Sequence, residues 1–276
     1  MPAARPPPAL PAPHRPYLDL PGPWLVAHRG GGALAPENTL AAFDRAASLR
    51  ADAIEIDVRR TRDGAVVIFH DQDTARLLGQ PGTVAARTLA ELAHLDAGAA
   101  FTADGGATFP FRGRGLSVPT LAEVLRRYPS MRFNVDAKDD DPEMAAALAE
   151  VVRSAFAEDR VCVGSFSDRQ AERLGALLPR CARFLPQEAA TCHVLAARAG
   201  RSGAGCPSGF DLADLPFRLG GEVVVDAAVL DHFHSLRIPV HAWAVDDEAE
   251  MRALLAAGVD GIVTDRPDLL ARVLGR

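Results

Sequence analysis

The stretch WLVAHRGGGALAPENTLAAFDRAASLRADAIEIDV, residues 24–58, decides the fold. It begins and ends with short runs rich in apolar residues, which are typical of buried strands, and residues 37–50 carry the apolar spacing of a helix. A strand, a helix and a second strand in so short a segment predict a βαβ unit with parallel strands.

The pattern of strand and helix repeats to the end of the chain. Eight candidate parallel strands favour a TIM (β/α)8 barrel over a doubly wound sheet, and a dinucleotide-binding fingerprint is missing. The other six candidates are MRFNVDAK (131–138), VCVGS (161–165), ARFLP (182–186), EVVVD (222–226), PVHAWAV (239–245) and GIVTD (261–265).

One connection departs from this alternation of strands and helices. VVIFH (66–70) follows the strand ADAIEIDV after only RRTRDGA, which is too short for a parallel crossover. We predict a hairpin that turns at Asp63 and Gly64 and returns His70 toward Glu55 and Asp57. Residues 71–118 then form an insertion that is long for a loop, and we expect it to cover the barrel mouth and to shape the substrate site.

Composition limits the function classes. The net charge is −6 and basic residues do not cluster, so we expect no nucleic-acid partner. We find neither an apolar run long enough to span a membrane nor the pattern of a secretory signal. We therefore expect a cytoplasmic protein without stable membrane insertion. Residues 1–23 contain nine prolines and are predicted to be a flexible, disordered arm before a barrel at 24–276. The oligomeric state stays open.

The cysteines and the lysine are also informative. The cysteines follow no metal or redox spacing and are interpreted as reduced structural residues: Cys162, Cys181, Cys192 and Cys206. The 30 cationic residues comprise 29 Arg and a single Lys, Lys138. Lys138 stands between Ala137 and Asp139, so a phosphate-binding P-loop, which needs Gly-Lys-Ser/Thr, is excluded.

Polar residues alternate along two candidate strands. In ADAIEIDV, Glu55 and Asp57 share one face, and inward carboxylates cost several kcal/mol unless they are paired or bound to metal. An outward pair neutralised by neighbouring arginines is the alternative. In MRFNVDAK, Asn134, Asp136 and Lys138 share a face, which indicates a third metal ligand beside a cation, or else a solvated strand end.

Histidines end two of the candidate strands. His28 ends WLVAH and His70 ends VVIFH, at the strand ends where barrel enzymes place catalytic groups, so the two could form an acid/base pair. Arg29, followed by Gly30–Gly32, could bind a phosphate, although this signal is weak alone. His232 and His234 are interpreted as surface or helix residues, and Asp141 before Pro142 as a helix N-cap.

Together these motifs resemble the glycerophosphodiester phosphodiesterase family over residues 24–274. The resemblance rests on HRGGGALAPENTLAAF, ADAIEIDV, VVIFHD, VPTLAEVL, NVDAK, VGSF and VHAWAVDDEAEMRALLAAGVDGIVTD. It implies a TIM-barrel enzyme that uses a divalent ion, Ca²⁺ or Mg²⁺, to cleave small glycerophosphodiesters into sn-glycerol 3-phosphate and an alcohol. A lysophospholipase D-like lipid phosphodiesterase and a non-catalytic phosphodiester-binding barrel are the alternatives.

The resemblance also implies roles for particular residues. It makes His28 and His70 the catalytic histidines and Glu55 and Asp57 metal ligands. Arg29 and Lys138 would bind the phosphate. We expect Trp243 and Phe166 to line the part of the site that holds the glycerol or the alcohol. The alternative is that both side chains only pack in the core.

Two positions depart from the family pattern. Asp136 stands where the family usually has Glu. Because Asp is one methylene shorter than Glu, its carboxylate would have to move roughly 1 to 1.5 Å to take the place of the Glu carboxylate. A Ca²⁺–O bond is only about 2.3 to 2.6 Å long, so we consider binding of the ion through a water. The second departure is Asp246, where the family often has Asn, and we assign it no role.

Overall fold

Strands that bury both of their faces form the centre of the protein. The structure is a computed structural model and describes residues 14–276. In chain order its strands are β1 (Trp24–His28), β2 (Ala53–Arg60), β3 (Val66–Ile68), β4 (Arg132–Ala137), β5 (Val161–Gly164), β6 (Ala182–Arg183), β7 (Ala213–Pro216), β8 (Arg218–Leu219), β9 (Glu222–Val223), β10 (Val240–Trp243) and β11 (Gly261–Thr264).

Helices follow most of the parallel strands, as a barrel requires. They are α1 (Leu40–Ser48), α2 (Ala75–Leu78), α3 (Leu89–Ala93), α4 (Leu121–Arg127), α5 (Pro142–Ser154), α6 (Asp168–Leu177), α7 (Gln187–Arg198), α8 (Ala227–Ser235), α9 (Glu248–Ala257) and α10 (Pro267–Val273). Short 3-10 helices cover Pro16–Leu18, Val84–Ala86 and Glu158–Arg160. Within residues 14–276, none of these helices has the length and apolar character to cross a bilayer.

Eight parallel strands form the barrel in the order β6-β5-β4-β2-β1-β11-β10-β7. A parallel bridge between Phe184 and Leu212 joins the two ends of this order, and Leu185 N donates to Leu212 O at 3.0 Å. The predicted TIM barrel is therefore confirmed. The hairpin prediction is also right, because β3 pairs antiparallel with β2 and Gly64 adopts a left-handed φ of 89° in the turn.

The prediction of EVVVD as a barrel strand was wrong. The barrel strand is β7, ADLP, whose Asp and Pro are uncommon in strands. Glu222–Val223 instead pairs antiparallel with Arg218–Leu219 in a small hairpin outside the barrel. Gly220 and Gly221, both with positive φ, supply its turn.

Alternation along each strand divides the core into two layers. Ile54, Ile56, Phe133 and Val135 face outward and pack beneath the helices in the main hydrophobic cluster. The opposite faces of the strands fill the barrel interior, where Trp24, Val26, Ala53, Cys162, Ala182 and Val263 cluster. Polar residues further along these inner faces therefore point into the barrel, toward its carboxyl-terminal rim.

Part of the predicted N-terminal arm lies against the barrel. Residues 1–13 lie outside the described part of the chain, but residues 14–23 pack on the barrel. Tyr17 is 1% exposed inside the interior cluster, and its hydroxyl donates to Asn134 Oδ1. The prediction of an arm outside the fold rested on proline content. Proline content does not reveal that a single aromatic residue, Tyr17, anchors the segment to the barrel.

Two of the four cysteines are not reduced. Cys192 on α7 and Cys206 form a disulfide with a Cα–Cα distance of 5.7 Å, whereas Cys162 and Cys181 are free and buried. The expectation of four thiols was therefore wrong for this pair. The loop after α7 returns through Gly200, Gly203 and Gly205, all at positive φ, and this turn cannot be deduced from cysteine spacing.

Other local predictions can be checked directly. Asp141 is the N-cap of α5 and accepts a hydrogen bond from Glu143 N, which confirms the capping interpretation. His232 and His234 both lie on α8. The insertion carries α2, α3 and part of a small hydrophobic cluster, in which Leu78, Val84, Leu92 and Val118 pack with Phe69.

Replacing Tyr17 tests whether the N-terminal segment is part of the fold. Tyr17→Ala should lower the free energy of unfolding by about 3 to 5 kcal/mol, because it empties a buried aromatic site. Tyr17→Phe should cost about 1 to 2 kcal/mol through the lost hydrogen bond to Asn134. Urea unfolding followed by circular dichroism measures both, with exposed His14→Ala as the control. An unchanged midpoint for Tyr17→Ala would contradict the packing.

Candidate active site

The carboxyl ends of the barrel strands surround a cavity of about 760 Å³. Its lining includes every site residue predicted from the sequence: His28, Arg29, Glu55, Asp57, His70, Asp136, Lys138 and Trp243. Strand register explains the clustering of the charged groups, since His28 lies beside Glu55 and Asp57 lies beside Asp136 on neighbouring strands. The carboxylates face inward, so the alternative of an outward surface pair is wrong.

Asp57 is the most heavily bonded of these carboxylates. It accepts Lys138 Nζ at 2.8 Å and Asn38 Nδ2 at 2.8 Å, and Arg29 Nε lies 3.2 Å away. Burial alone would raise the pKa of Asp57, but Lys138 and Arg29 outweigh burial and lower it. Asp57 is therefore a fixed negative charge, and Asn38 holds it from the loop before α1.

Two further carboxylates have fewer partners. Asp136 Oδ2 lies 2.5 Å from Lys138 Nζ, but its Oδ1 is buried without a hydrogen-bond partner. Burial raises the pKa of Asp136, and burial together with Asp57 raises the pKa of Glu55 to about 8. Neighbouring carboxylates hold Lys138 in its charged form, because Asp136 and Asp57 outweigh burial and raise the pKa of its ammonium. The site therefore contains more buried acid than its own cations neutralise.

An aspartate behind the ring orients His28. The Nδ1 atom lies 2.9 Å from Asp265 Oδ1, and Nε2 lies 3.9 Å from Glu55 Oε2. Burial alone would lower the pKa of His28, but the Asp265 hydrogen bond and Glu55 raise it to about 9. Asp246, which had no role from the sequence, accepts Asp265 N and Thr264 Oγ1, each at 2.8 Å, and so fixes the loop that carries Asp265.

A second aspartate orients His70. Its Nδ1 atom lies 2.7 Å from Asp71 Oδ1, and Arg76 on α2 donates to both oxygens of Asp71 at 2.6 and 3.0 Å. This pairing lowers the pKa of Asp71 to about 2. Arg76 also donates two 2.9 Å bonds to Glu37, which accepts Arg29 Nη1 at 2.8 Å. One guanidinium thus supports both His70 and Arg29.

The insertion supports the site from outside the cavity. The residues that line the cavity, as far as residues 14–276 describe it, include none from 71–118, so the expected cover over the substrate site is wrong. The insertion contributes Asp71 and Arg76 behind the ring of His70 instead. Aromatic residues form part of the opposite wall, where Phe166 meets Trp243 edge-on with ring centroids 5.9 Å apart.

Comparison with known proteins identifies the family. The model of the glycerophosphoryl diester phosphodiesterase family matches residues 28–269. The "probable glycerophosphodiester phosphodiesterase 2" of Mycobacterium tuberculosis is 36% identical over 271 residues, which cover 95% of each chain. The chain belongs to the glycerophosphoryl diester phosphodiesterase family. It is a phosphoric diester hydrolase that acts on glycerophosphodiesters.

Solved structures agree with this assignment. A glycerophosphodiester phosphodiesterase from Agrobacterium tumefaciens is 28% identical, with a TM-score of 0.70 over 90% of this chain and 98% of the other. A phosphodiesterase from Oleispira antarctica, solved in complex with the product sn-glycerol 3-phosphate, is 25% identical. It superposes with a TM-score of 0.74 over 92% of this chain and 97% of the other.

Sequence reasoning missed several polar residues in and around this cavity. They are Glu37, Asp71, Arg76, Asp214 and Asp265. Asp71 ends VVIFHD and Asp265 ends GIVTD, two motifs that were noted for other residues. An acidic residue directly after a predicted strand was the signal that could have found both. Asp214 had none, because β7 itself was missed. Asp214 is half-buried next to the polar site, and desolvation of its carboxyl raises its pKa to about 7.

The donor chemistry of the site fits a divalent metal ion. Glu55, Asp57 and Asp136 offer hard oxygen ligands of the kind that Ca²⁺ and Mg²⁺ take. The unpartnered Oδ1 of Asp136 and the raised pKa of Glu55 indicate carboxylates that lack enough positive charge. Within residues 14–276, no group of three or more His, Cys, Asp and Glu side chains is gathered closely enough to hold an ion.

Arg76 can be tested as a positioning residue. Arg76→Lys keeps the charge but cannot make the double bidentate contact with Asp71 and Glu37, so kcat should fall about 10- to 100-fold while the melting temperature stays unchanged. Arg62→Lys, in an exposed pair with Glu91, is the matched control and should not change kcat. An effect on stability alone would contradict a positioning role.

Proposed function

We propose that the enzyme hydrolyses glycerophosphodiesters to sn-glycerol 3-phosphate and an alcohol, in a metal-dependent reaction with His28 and His70 as the acid/base pair. The observation that carries this proposal is the pair of histidines at one cavity, each with Nδ1 against an aspartate. That arrangement leaves each Nε2 for proton transfer with a substrate. The product named in the Oleispira antarctica structure supports the choice of product.

The remaining polar residues serve the phosphate. Glu55, Asp57 and Asp136 would hold the divalent ion. When it is bound, the ion supplies positive charge that neutralises a phosphodiester. Arg29 and Lys138 add fixed positive charge at the same cavity, and charge of this kind stabilises a phosphate as its negative charge grows in the transition state. Asp57 keeps both cations directed into the site.

The two histidines transfer the protons. One imidazole removes a proton at Nε2 from the attacking hydroxyl or water, and the other donates a proton from Nε2 to the leaving alkoxide. Asp265 and Asp71 hold the two rings so that their Nδ1 atoms stay bonded throughout. The small polar substrate is the partner that this chemistry requires.

The cellular location is a separate prediction. A cytoplasmic enzyme was expected from the sequence, but the disulfide between Cys192 and Cys206 counts against that expectation, because disulfides persist mainly in oxidising compartments.

Turnover of glycerophosphocholine tests the proposal directly. Release of sn-glycerol 3-phosphate should be abolished by EDTA and restored by Ca²⁺ or Mg²⁺. His28→Ala and His70→Ala should each lower kcat by about 10²- to 10⁴-fold, since a proton-transfer group is lost. A dehydrogenase-coupled assay measures the product, and His234→Ala, on the outer helix α8, is the control. Full activity in either histidine variant would refute the assignment.

The lone lysine is a second test. Lys138→Arg should lower kcat/KM by about tenfold or more, because a planar guanidinium cannot lie between Asp57 and Asp136 as the ammonium does. Thermal unfolding should show a native transition for the variant. An unchanged rate would mean that a compact ammonium is not needed at this position.

A further inference from the structure

One carboxylate in the cavity has no part in the proposed mechanism. Asp214 belongs to β7 and lines the same cavity as Arg29 and Lys138. Both cations bond elsewhere. Lys138 contacts Asp57 and Asp136, and Arg29 contacts Asp57. In the part of the chain that the structure describes, neither cation lies within 4 Å of the Asp214 carboxylate. Asp214 therefore stands apart from the groups that would bind the phosphate.

The carboxylate of Asp214 has few hydrogen bonds of its own. An ionised carboxylate can accept about four. Oδ2 accepts a single long one, from Asn134 Nδ2 at 3.4 Å, and Oδ1 is buried without a partner. Desolvation raises the pKa of Asp214 to about 7, because the bond from Asn134 does not offset the loss of water. The carboxylate therefore has unused capacity for a donor that arrives with a ligand.

Asn134 places this carboxylate at the floor of the cavity. The hydroxyl of Tyr17 donates to Asn134 Oδ1, so the amide nitrogen of Asn134 faces Asp214. Tyr17 is 1% exposed and belongs to the interior cluster of the barrel. Asn134 thus contacts the packed interior on one side and Asp214 on the other. Asp214 lies where the open cavity ends and the packed interior begins.

A closed floor suits the part of the substrate that does not vary. The interior cluster fills the barrel below Asp214, whereas exposed Leu195 and Leu219 line the cavity at its mouth. Every glycerophosphodiester contains the same small glycerol, but the alcohol differs in size. The alcohol must therefore extend toward the mouth, which leaves the glycerol to lie against the floor.

The neighbouring strand adds a surface for the carbon chain of the glycerol. β7 pairs with β10, so that Asp214 lies beside His241 and Pro216 lies beside Trp243. Trp243 lines the cavity two residues further toward the carboxyl end of its strand than the position beside Asp214. An aromatic ring next to an unsatisfied carboxylate offers one apolar contact and one acceptor, as a polyol requires.

We propose that Asp214 determines specificity for glycerol by accepting a hydrogen bond from its terminal hydroxyl, the one farthest from the phosphate. This inference rests on the proposed function. The terminal hydroxyl is the donor that can reach an acceptor standing apart from the phosphate-binding cations. Because the hydroxyl does not react, its bond to Asp214 is the same before and during the reaction, so its loss should raise KM and leave kcat nearly unchanged.

Removing the hydroxyl from the substrate is the first measurement. Choline release is compared for glycerophosphocholine and for 2-hydroxypropyl phosphocholine, which lacks only the terminal hydroxyl. We expect kcat/KM to be about tenfold or more higher for glycerophosphocholine, mainly through KM, because a hydrogen bond to a charged group is lost. Equal values for the two substrates would overturn the inference and leave the proposed function intact. No turnover of either would overturn the proposed function.

Substitutions locate the discrimination at Asp214. Asp214→Ala and Asp214→Leu should each bring the ratio of the two kcat/KM values close to one, because neither side chain accepts a hydrogen bond. Leu keeps most of the side-chain volume, so it guards against a packing defect. Glu222→Ala removes another carboxylate from the cavity lining and should keep the wild-type ratio. An equal loss on both substrates, with the ratio kept, would mean that Asp214 serves only the fold and would overturn the inference.

A cationic head group is the other partner that a carboxylate could bind. Glycerophosphoglycerol has a neutral alcohol, so release of sn-glycerol 3-phosphate from it is compared with release from glycerophosphocholine. We expect Asp214→Ala to lower kcat/KM for both by the same factor, since both contain the same glycerol. A loss confined to glycerophosphocholine would show that Asp214 binds the choline and would overturn the inference.

A binding measurement separates recognition from catalysis. Calorimetry should show that the wild-type enzyme binds sn-glycerol 3-phosphate about tenfold or more tightly than propane-1,2-diol 1-phosphate, which lacks the terminal hydroxyl. Asp214→Leu should bind the two compounds equally. Equal affinities in the wild-type enzyme, or a preference that survives in Asp214→Leu, would overturn the inference.

Discussion

The structure depends on the cost of placing several carboxylates inside a barrel. Glu55, Asp57 and Asp136 lie on the inner faces of β2 and β4, where burial disfavours their charged forms. Lys138 compensates for part of this cost by contacting two of the three. A group of acids that is expensive to bury and only partly neutralised is a poor way to stabilise a fold, and it is well suited to attract cations.

Hydrogen bonds from aspartates fix the orientation of the two histidines. Each ring is held at Nδ1 by an aspartate, and each aspartate is held in turn, Asp265 by the loop that Asp246 fixes and Asp71 by Arg76. These contacts come from distant parts of the chain, because Asp265 follows the C-terminal strand β11, whereas Asp71 and Arg76 belong to the insertion after β3. The barrel brings them together because its first and last strands are neighbours.

Strand alternation was enough to predict most of this site. Glu55, Asp57 and Asp136 could be predicted because two-residue periodicity separates inner from outer faces, and the two histidines because each ends an apolar run. The seventh strand could not, because ADLP has none of the composition of a strand and its pairing depends on neighbours distant in sequence. Asp214 was lost with it. Arg76 and Glu37 were missed because an ion pair between residues 39 positions apart leaves no local pattern.

The order of the strands also divides the cavity by chemistry. Five charged residues lie on or directly after β1, β2 and β4, which are adjacent in the barrel: His28, Glu55, Asp57, Asp136 and Lys138. The aromatic lining and most of the aliphatic lining lie on or after β5, β6, β7 and β10, together with the charged residues Arg198, Asp214 and Glu222. Most of the charged lining therefore lies on one side of the rim, and most of the apolar lining lies on the other. The insertion contacts the charged side from behind, through Asp71 and Arg76, so its variation would alter the orientation of His70 and Arg29. Variation in α7 and the β8–β9 hairpin would alter which substituents the phosphodiester can carry, without disturbing the charge balance among the buried acids.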